Sequence, residues 1–224
     1  CLTPGKSISM KENNKEFPSK GWILAFHPDL ICGTPLGLNI HNYTFFSYCP
    51  EEALHPSLRE KQIILEFLER IRQELERCID RHSKKIISKY IELLLDYCTR
   101  FYERQFITRS EVNKKVFREF NHLLDNHFNV KVSLSTDVLS DEYCANLLHL
   151  SPAYFNDLLK YEIGKEFKEY IQFKRFEIAK GWLVNTDKTL GQIAQELGFS
   201  NSQYFSRLFK KITGCSPNEF RMPN

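Results

Sequence analysis

The stretch YFNDLLKYEIG (Tyr154–Gly164) returns as YFSRLFKKITG (Tyr204–Gly214), fifty positions later, with Tyr, Phe, Leu, Lys and Gly in register. At the fourth place the charge reverses, Asp157 in one copy and Arg207 in the other. The match continues backwards: CANLLHLS (144–151) lies over IAQELGFS (193–200), with Ala145 opposite Ala194 and Leu148 opposite Leu197. Each copy reads as a short helix, a tight turn and a second helix that starts at Ser151 or Asn201. A small Ala inside the first helix lets the second cross close to it. This is the pattern of a helix-turn-helix, whose second helix can enter the major groove of DNA. Pairs of helices also occur as plain packing units. Two copies, each with cap, turn and stop in place, weigh heavily against that reading.

The helix signals between and around the copies agree. Ser140 is placed to cap a helix with Asp141 and Glu142 in its first turn, where the helix dipole favours acids. Ser151-Pro152 supplies a cap followed by proline at the first helical position, and Gly164 and Gly214 suit helix stops. Thr189 with Gln192 forms a capping box, and Asn201 caps the helix after it. Phe167 to Val184 reads as one helix, about 27 Å long at ~1.5 Å per residue. Successive major-groove faces lie about 34 Å apart, so such a connector can present both second helices to one side of a duplex. His149 stands where the second copy has Gly198, which makes the first turn harder to form.

Residues 1–50 read differently. GWILAF (21–26) and YTFFSY (43–48) are apolar and aromatic runs bounded by Gly, Pro and Asn, which suits strands. Two strands make no stable domain alone, so they read as remnants of a β-structure. Helical periodicity begins at Ser57, with Glu60 completing a capping box, and continues in three helices over 57–128. The polar, β-branched NVKVSLSTD (129–137) reads as a linker.

With 224 residues, 42% of them hydrophobic, and 18 Phe, the chain can bury a sizeable core. A formal net charge of +3 names no partner. No apolar run is long enough to span a membrane. The chain opens on Cys1 rather than Met and reads as a piece of a longer protein. Its seven cysteines contain no C-x-x-C pair, which points to reduced thiols in the cytoplasm rather than to zinc or disulfides. His27, His41 and His55 are isolated, and no P-loop, G-x-S-x-G or H-E-x-x-H occurs. The expectation is therefore no enzyme, no metal and no cofactor.

RFEIAKGWL (175–183), IAQELGF (193–199) and YFSRLFKKITGCSPNEFR (204–221) resemble the AraC-type bacterial transcription regulators, closely over about 137–222. The resemblance implies a mainly α fold: two helix-turn-helix units joined by a linker helix over 138–224. Before the 129–137 linker it implies the end of a sensing and dimerisation region over 1–128, with helices 57–128 and cupin-like β remnants in 1–50. It further implies a sequence-specific regulator that binds promoter or operator DNA, answers an unknown small-molecule effector, forms a homodimer and admits RNA polymerase as a partner.

In that family the base contacts come from the exposed face of each second helix. Here the second copy offers Ser202, Gln203, Ser206, Arg207 and Lys210, with Phe205, Leu208, Phe209 and Ile212 on the buried side. Arg207 and Gln203 are the best readers, because Arg can bond guanine and Gln adenine at two edge atoms. Lys210 and Lys211 suit phosphates. The first copy offers Ala153, Asn156, Asp157 and Lys160. Asp157 can accept from cytosine N4 or pair with a lysine, Lys160 or Lys168, and the pairing is favoured. Residues 137–186 hold six Lys and Arg against eight Asp and Glu, whereas 187–224 hold five against three. The second copy should hold DNA more strongly. The rival reading is a protein-interaction adaptor built on the helices of 57–128.

Overall fold

In the computed structural model, residues 21–130 and 139–222 are described. They fall into two compact units: the described residues through Ser110 together with Leu150–Asp157, and those of Glu111–His149 and Leu158–Asn224.

The first unit is helical from its start. Prolines open two short helices, α1 (Pro28–Ile31) and α2 (Pro35–Asn39), capped by the side chains of His27 and Thr34. A proline without N–H is well suited to the first helical position. Three 3-10 turns follow at Ile40–Asn42, Thr44–Ser47 and Pro50–Glu52. The strands expected at 21–26 and 43–48 are therefore absent. Residues 21–26 have no regular structure, and no strand occurs among the described residues.

The cause lies in the side-chain spacing. Phe45 and Tyr48 are the buried residues of the second run, and they lie three apart. In a 3-10 turn such residues share a face, whereas in a strand they would point to opposite sides. Nothing in the described chain supports a cupin-like remnant.

That turn packs on α4 (Ser83–Thr108), which runs beside α3 (Leu58–Glu76). The ring of Phe45 stacks on Tyr102 at 5.4 Å, and Tyr48 meets the same ring edge-on at 5.2 Å. Ser57 and Glu60 form the expected capping box at the start of α3. Glu60 also receives two hydrogen bonds from Arg104 of α4, at 2.8 and 2.9 Å, a forked geometry that ties the two helices. Buried Gln105 accepts from the His55 amide at 2.8 Å and donates to Ala53 O at 3.3 Å, fixing the connection before α3.

In the second unit α5 (Ser110–Val130) lies along α8 (Phe167–Asn185). Phe117 and Phe120 contact Tyr170, whose hydroxyl donates to Asn121 Oδ1 at 2.6 Å. Because α5 reaches Val130, it occupies the start of the expected linker, and residues 131–137 lie outside the described residues. Between these helices come α6 (Asp141–Leu147), capped by Ser140, and α7 (Pro152–Ile163). Beyond them lie α9 (Leu190–Glu196), α10 (Ser202–Thr213) and α11 (Pro217–Arg221).

Phe176 of α8 is the hub of the C-terminal core. It stacks on Phe205 at 6.1 Å and meets Phe209 edge-on at 6.0 Å, both from α10, and touches Phe199 at 5.6 Å. Burial pushes the thiols of Cys98 and Cys144 up to about 11, keeping them protonated, while Cys32, Cys49 and Cys78 are exposed.

Phe176→Ala should leave a cavity among three rings and cost about 3–5 kcal/mol. Urea unfolding followed by circular dichroism measures this, and a loss below about 1 kcal/mol would contradict the hub assignment.

Candidate nucleic-acid interface

The second helix-turn-helix is built by local rules that can be followed atom by atom. Thr189 and Gln192 exchange the two hydrogen bonds of a capping box at the start of α9. The helix stops at Gly198, whose φ of 74° is left-handed. The Gly198 amide donates to Gln195 O at 3.0 Å and the Phe199 amide to Ala194 O at 2.8 Å, the paired bonds of a Schellman turn. Asn201 Oδ1 then accepts from the Tyr204 amide at 2.7 Å and starts α10. Gly214, at φ 86°, ends it.

These stops and caps set which face of α10 is seated. Phe205 and Phe209 are fully buried, and Leu208 is half-buried. Ile212, expected on the same buried side, is half exposed in the last turn of the helix. On the other face Gln203, Tyr204, Arg207, Lys210 and Lys211 are exposed, and Ser202 and Ser206 are half-buried. Arg207, Lys210 and Lys211 form no ion pair among the described residues. The α10 surface thus carries forked and amide donors and three positive charges outside any ion pair on one side. The Ser216 amide, with Lys210 near enough to help, holds the Glu219 carboxyl below the usual range.

The first copy repeats the backbone but not the surroundings. His149 takes the left-handed conformation that Gly198 takes in the second copy, with φ 56°. Among the described residues it is the one non-glycine with positive φ. Ser151 Oγ accepts from the Tyr154 amide at 3.2 Å and starts α7, as Asn201 starts α10. Ala153 is half-buried. Asn156 is half-buried too, and its amide donates to Pro152 O at 3.0 Å. Lys160 is exposed and pairs with Glu166 at 3.2 Å, not with Asp157.

Asp157 finds its partner elsewhere: the Tyr48 hydroxyl donates to its Oδ2 at 2.7 Å. Burial, then the nearby Asp157 charge, drives the Tyr48 phenol far above its ordinary value, so Tyr48 is the donor. Glu52, 5% exposed, accepts from the Ser151 amide at 2.6 Å through Oε1 and from the Ser151 hydroxyl through Oε2. Tyr154 is packed against Tyr48 at 5.1 Å and Phe106 at 5.2 Å. Neither Tyr48 nor Glu52 was marked by any sequence motif. The one hint was the misfit of Asp157 within the repeat.

The family described as Helix-turn-helix domain matches residues 144–222, which span both copies and the α8 connector. An uncharacterized HTH-type transcriptional regulator of Bacillus subtilis, YtdP, is 33% identical over 111 residues, covering 50% of this chain and 14% of that protein. The arabinose operon regulatory protein of Salmonella typhimurium is 32% identical over 101 residues, covering 45% and 32%. Residues 144–222 are an AraC-type helix-turn-helix domain.

The bifunctional transcriptional activator/DNA repair enzyme AdaA of B. subtilis is 41% identical over 86 residues, 38% of this chain and 41% of that protein. The chain thus spans between 14% and 41% of the length of these relatives. A solved C-terminal domain of AraT, a response regulator from Geobacillus stearothermophilus, is 32% identical with a TM-score of 0.40. It covers 47% of this chain and 83% of that domain. No described helix is long and apolar enough to cross a membrane.

Within the AraC-type domain, His149→Gly should relieve the left-handed strain of the first turn and raise stability by about 0.5–1 kcal/mol. Denaturant midpoints test this. An unchanged or lower midpoint would mean that the His149 side chain contributes as much as its backbone conformation costs.

Proposed function

We propose that this chain is part of a sequence-specific transcription regulator that binds double-stranded DNA through its AraC-type domain. The observation that carries the reading is the division of α10: its aromatic side is locked on Phe176, and its other side presents Gln203 and Arg207 to solvent without ion pairs. Arg207 suits the two acceptors of guanine and Gln203 the edge of adenine. Lys210 and Lys211 suit phosphates, whose neutralisation releases counterions. Ser202 and Ser206 complete the reading face of α10, and Ala153, Asn156, Asp157 and Lys160 are the corresponding surface of α7.

Arg207→Ala should weaken binding to a selected operator by about 1–3 kcal/mol and relax preference at one base pair. Titrations on selected and scrambled duplexes test this. Equal losses on both would reduce Arg207 to a phosphate contact.

The reading extends to a cytoplasmic regulator that answers a small-molecule effector, engages RNA polymerase at its promoters and works as a homodimer through the helices of 57–105. Leu75 at the end of α3, Ile79 just beyond it and Leu93 on α4 leave apolar surface exposed for a second copy. Paired subunits would read repeated half-sites. Sedimentation at micromolar concentration should show a dimer. A monomer, both free and on its operator, would remove dimerisation from the proposal.

A further inference from the structure

The repeat provides a control inside one molecule: two helices of nearly the same sequence, one buried where the other is bare. Tyr154 is 6% exposed and its counterpart Tyr204 is 45% exposed. Ser151 is buried and Asn201 exposed; Asp157 is half-buried and Arg207 exposed; Leu158 is buried and Leu208 half-buried. The extra burial of α7 lies on its first two turns, against Tyr48 and Glu52 of the 43–52 segment and against Phe106, with Arg109 bonded to the Tyr154 side chain. Consistently, Leu150–Asp157 belongs to the same compact unit as the chain before Ser110.

We infer that the first two turns of α7 are a docking surface for residues 43–52 of the same chain, and that this segment and DNA compete for it. The inference rests on the DNA-reading assignment above. A reading helix brings its N-terminal residues to the base edges. In α7 those residues are engaged: the Ser151 amide and hydroxyl by Glu52, the Asp157 carboxylate by Tyr48, and the Tyr154 ring by Tyr48 and Phe106. While these contacts hold, the helix cannot enter a groove, and α10 alone is free to read. The docked segment also brings Glu52 next to the face where phosphates would approach, and like charge repels.

The contact is built to come apart without dismantling α7. Ser151 Oγ already caps the helix through the Tyr154 amide, at 3.2 Å, without help from residues 43–52. When Glu52 leaves, Ser151 retains the role that Asn201 plays for α10. Glu52 in turn keeps one local donor, the Cys49 amide at 2.7 Å, so the Pro50–Glu52 turn survives as well. The substitution of Asp for Arg within the repeat follows: position 157 faces a tyrosine hydroxyl, which needs an acceptor, where position 207 faces solvent.

The experiment compares wild type with Tyr48→Phe, Glu52→Gln and the double variant, using a duplex that the chain itself enriches from a random-sequence pool. Each variant keeps the size of its side chain and weakens the hold on α7. The double variant should bind the selected duplex at least about fivefold tighter, and its footprint should gain a second protected major-groove segment. A folded double variant with wild-type affinity and footprint would overturn the inference. If the double variant lacks native helical signal, Tyr48→Phe alone, which removes one oxygen, is judged by the same two readouts. Arg207→Ala separates the two proposals. If it weakens binding while Tyr48→Phe and the double variant change nothing, the docking surface fails and DNA reading stands; if it has no effect on selected or scrambled duplexes, the reading assignment itself fails.

Discussion

A carboxyl group as buried as that of Glu52 must be supplied with hydrogen-bond donors, or its burial would cost several kcal/mol. It takes them from the Ser151 amide, the Ser151 hydroxyl and the Cys49 amide. Two of the three belong to the residue that starts α7. The helix start and the 43–52 turns are therefore coupled in one constraint: Ser151 and Glu52 satisfy one another while docked, and on parting each keeps one local donor, the Tyr154 amide and the Cys49 amide. Around it the aromatic rings of Tyr48, Tyr102, Phe106 and Tyr154 close off water, which makes each hydrogen bond stronger and its loss more costly.

The second copy shows what the same sequence does without that constraint. Its helix α10 is seated from behind by Phe176, Phe199 and Phe220, and Gln203, Arg207 and Lys210 on its other side are exposed. The two copies thus differ in one chain: the first turns of α7 are covered by Tyr48, Glu52 and Phe106, whereas the matching residues of α10 are exposed. The charge reversal follows the same division, since Asp157 accepts from the Tyr48 hydroxyl where Arg207 is exposed.

Much of this was legible in the sequence. The caps at Ser57, Ser140, Thr189 and Asn201, and the stops at Gly164 and Gly214, are local chemistry and appear as read. In the aromatic run at 43–48 composition favours a strand while the spacing of Phe45 and Tyr48 favours a helical turn, and the spacing decides. Pro28, Pro35 and Pro50, each at the first position of a helical turn, carry the same signal. The partner of Asp157 could not be found by local rules. Lys160 lies one turn away and was the nearer choice, but Tyr48 is 109 positions distant, and only the folded chain brings it within 2.7 Å. The repeat nevertheless marked position 157 as the place where the two copies had to differ.

The central claim is that two helices of common design stand in unequal states in the free protein. Residue-resolved amide exchange, corrected for intrinsic rates, measures this directly. The Ser151 amide, held by Glu52, should exchange at least about tenfold more slowly than that of Asn201. Equal rates at the two positions would contradict the account.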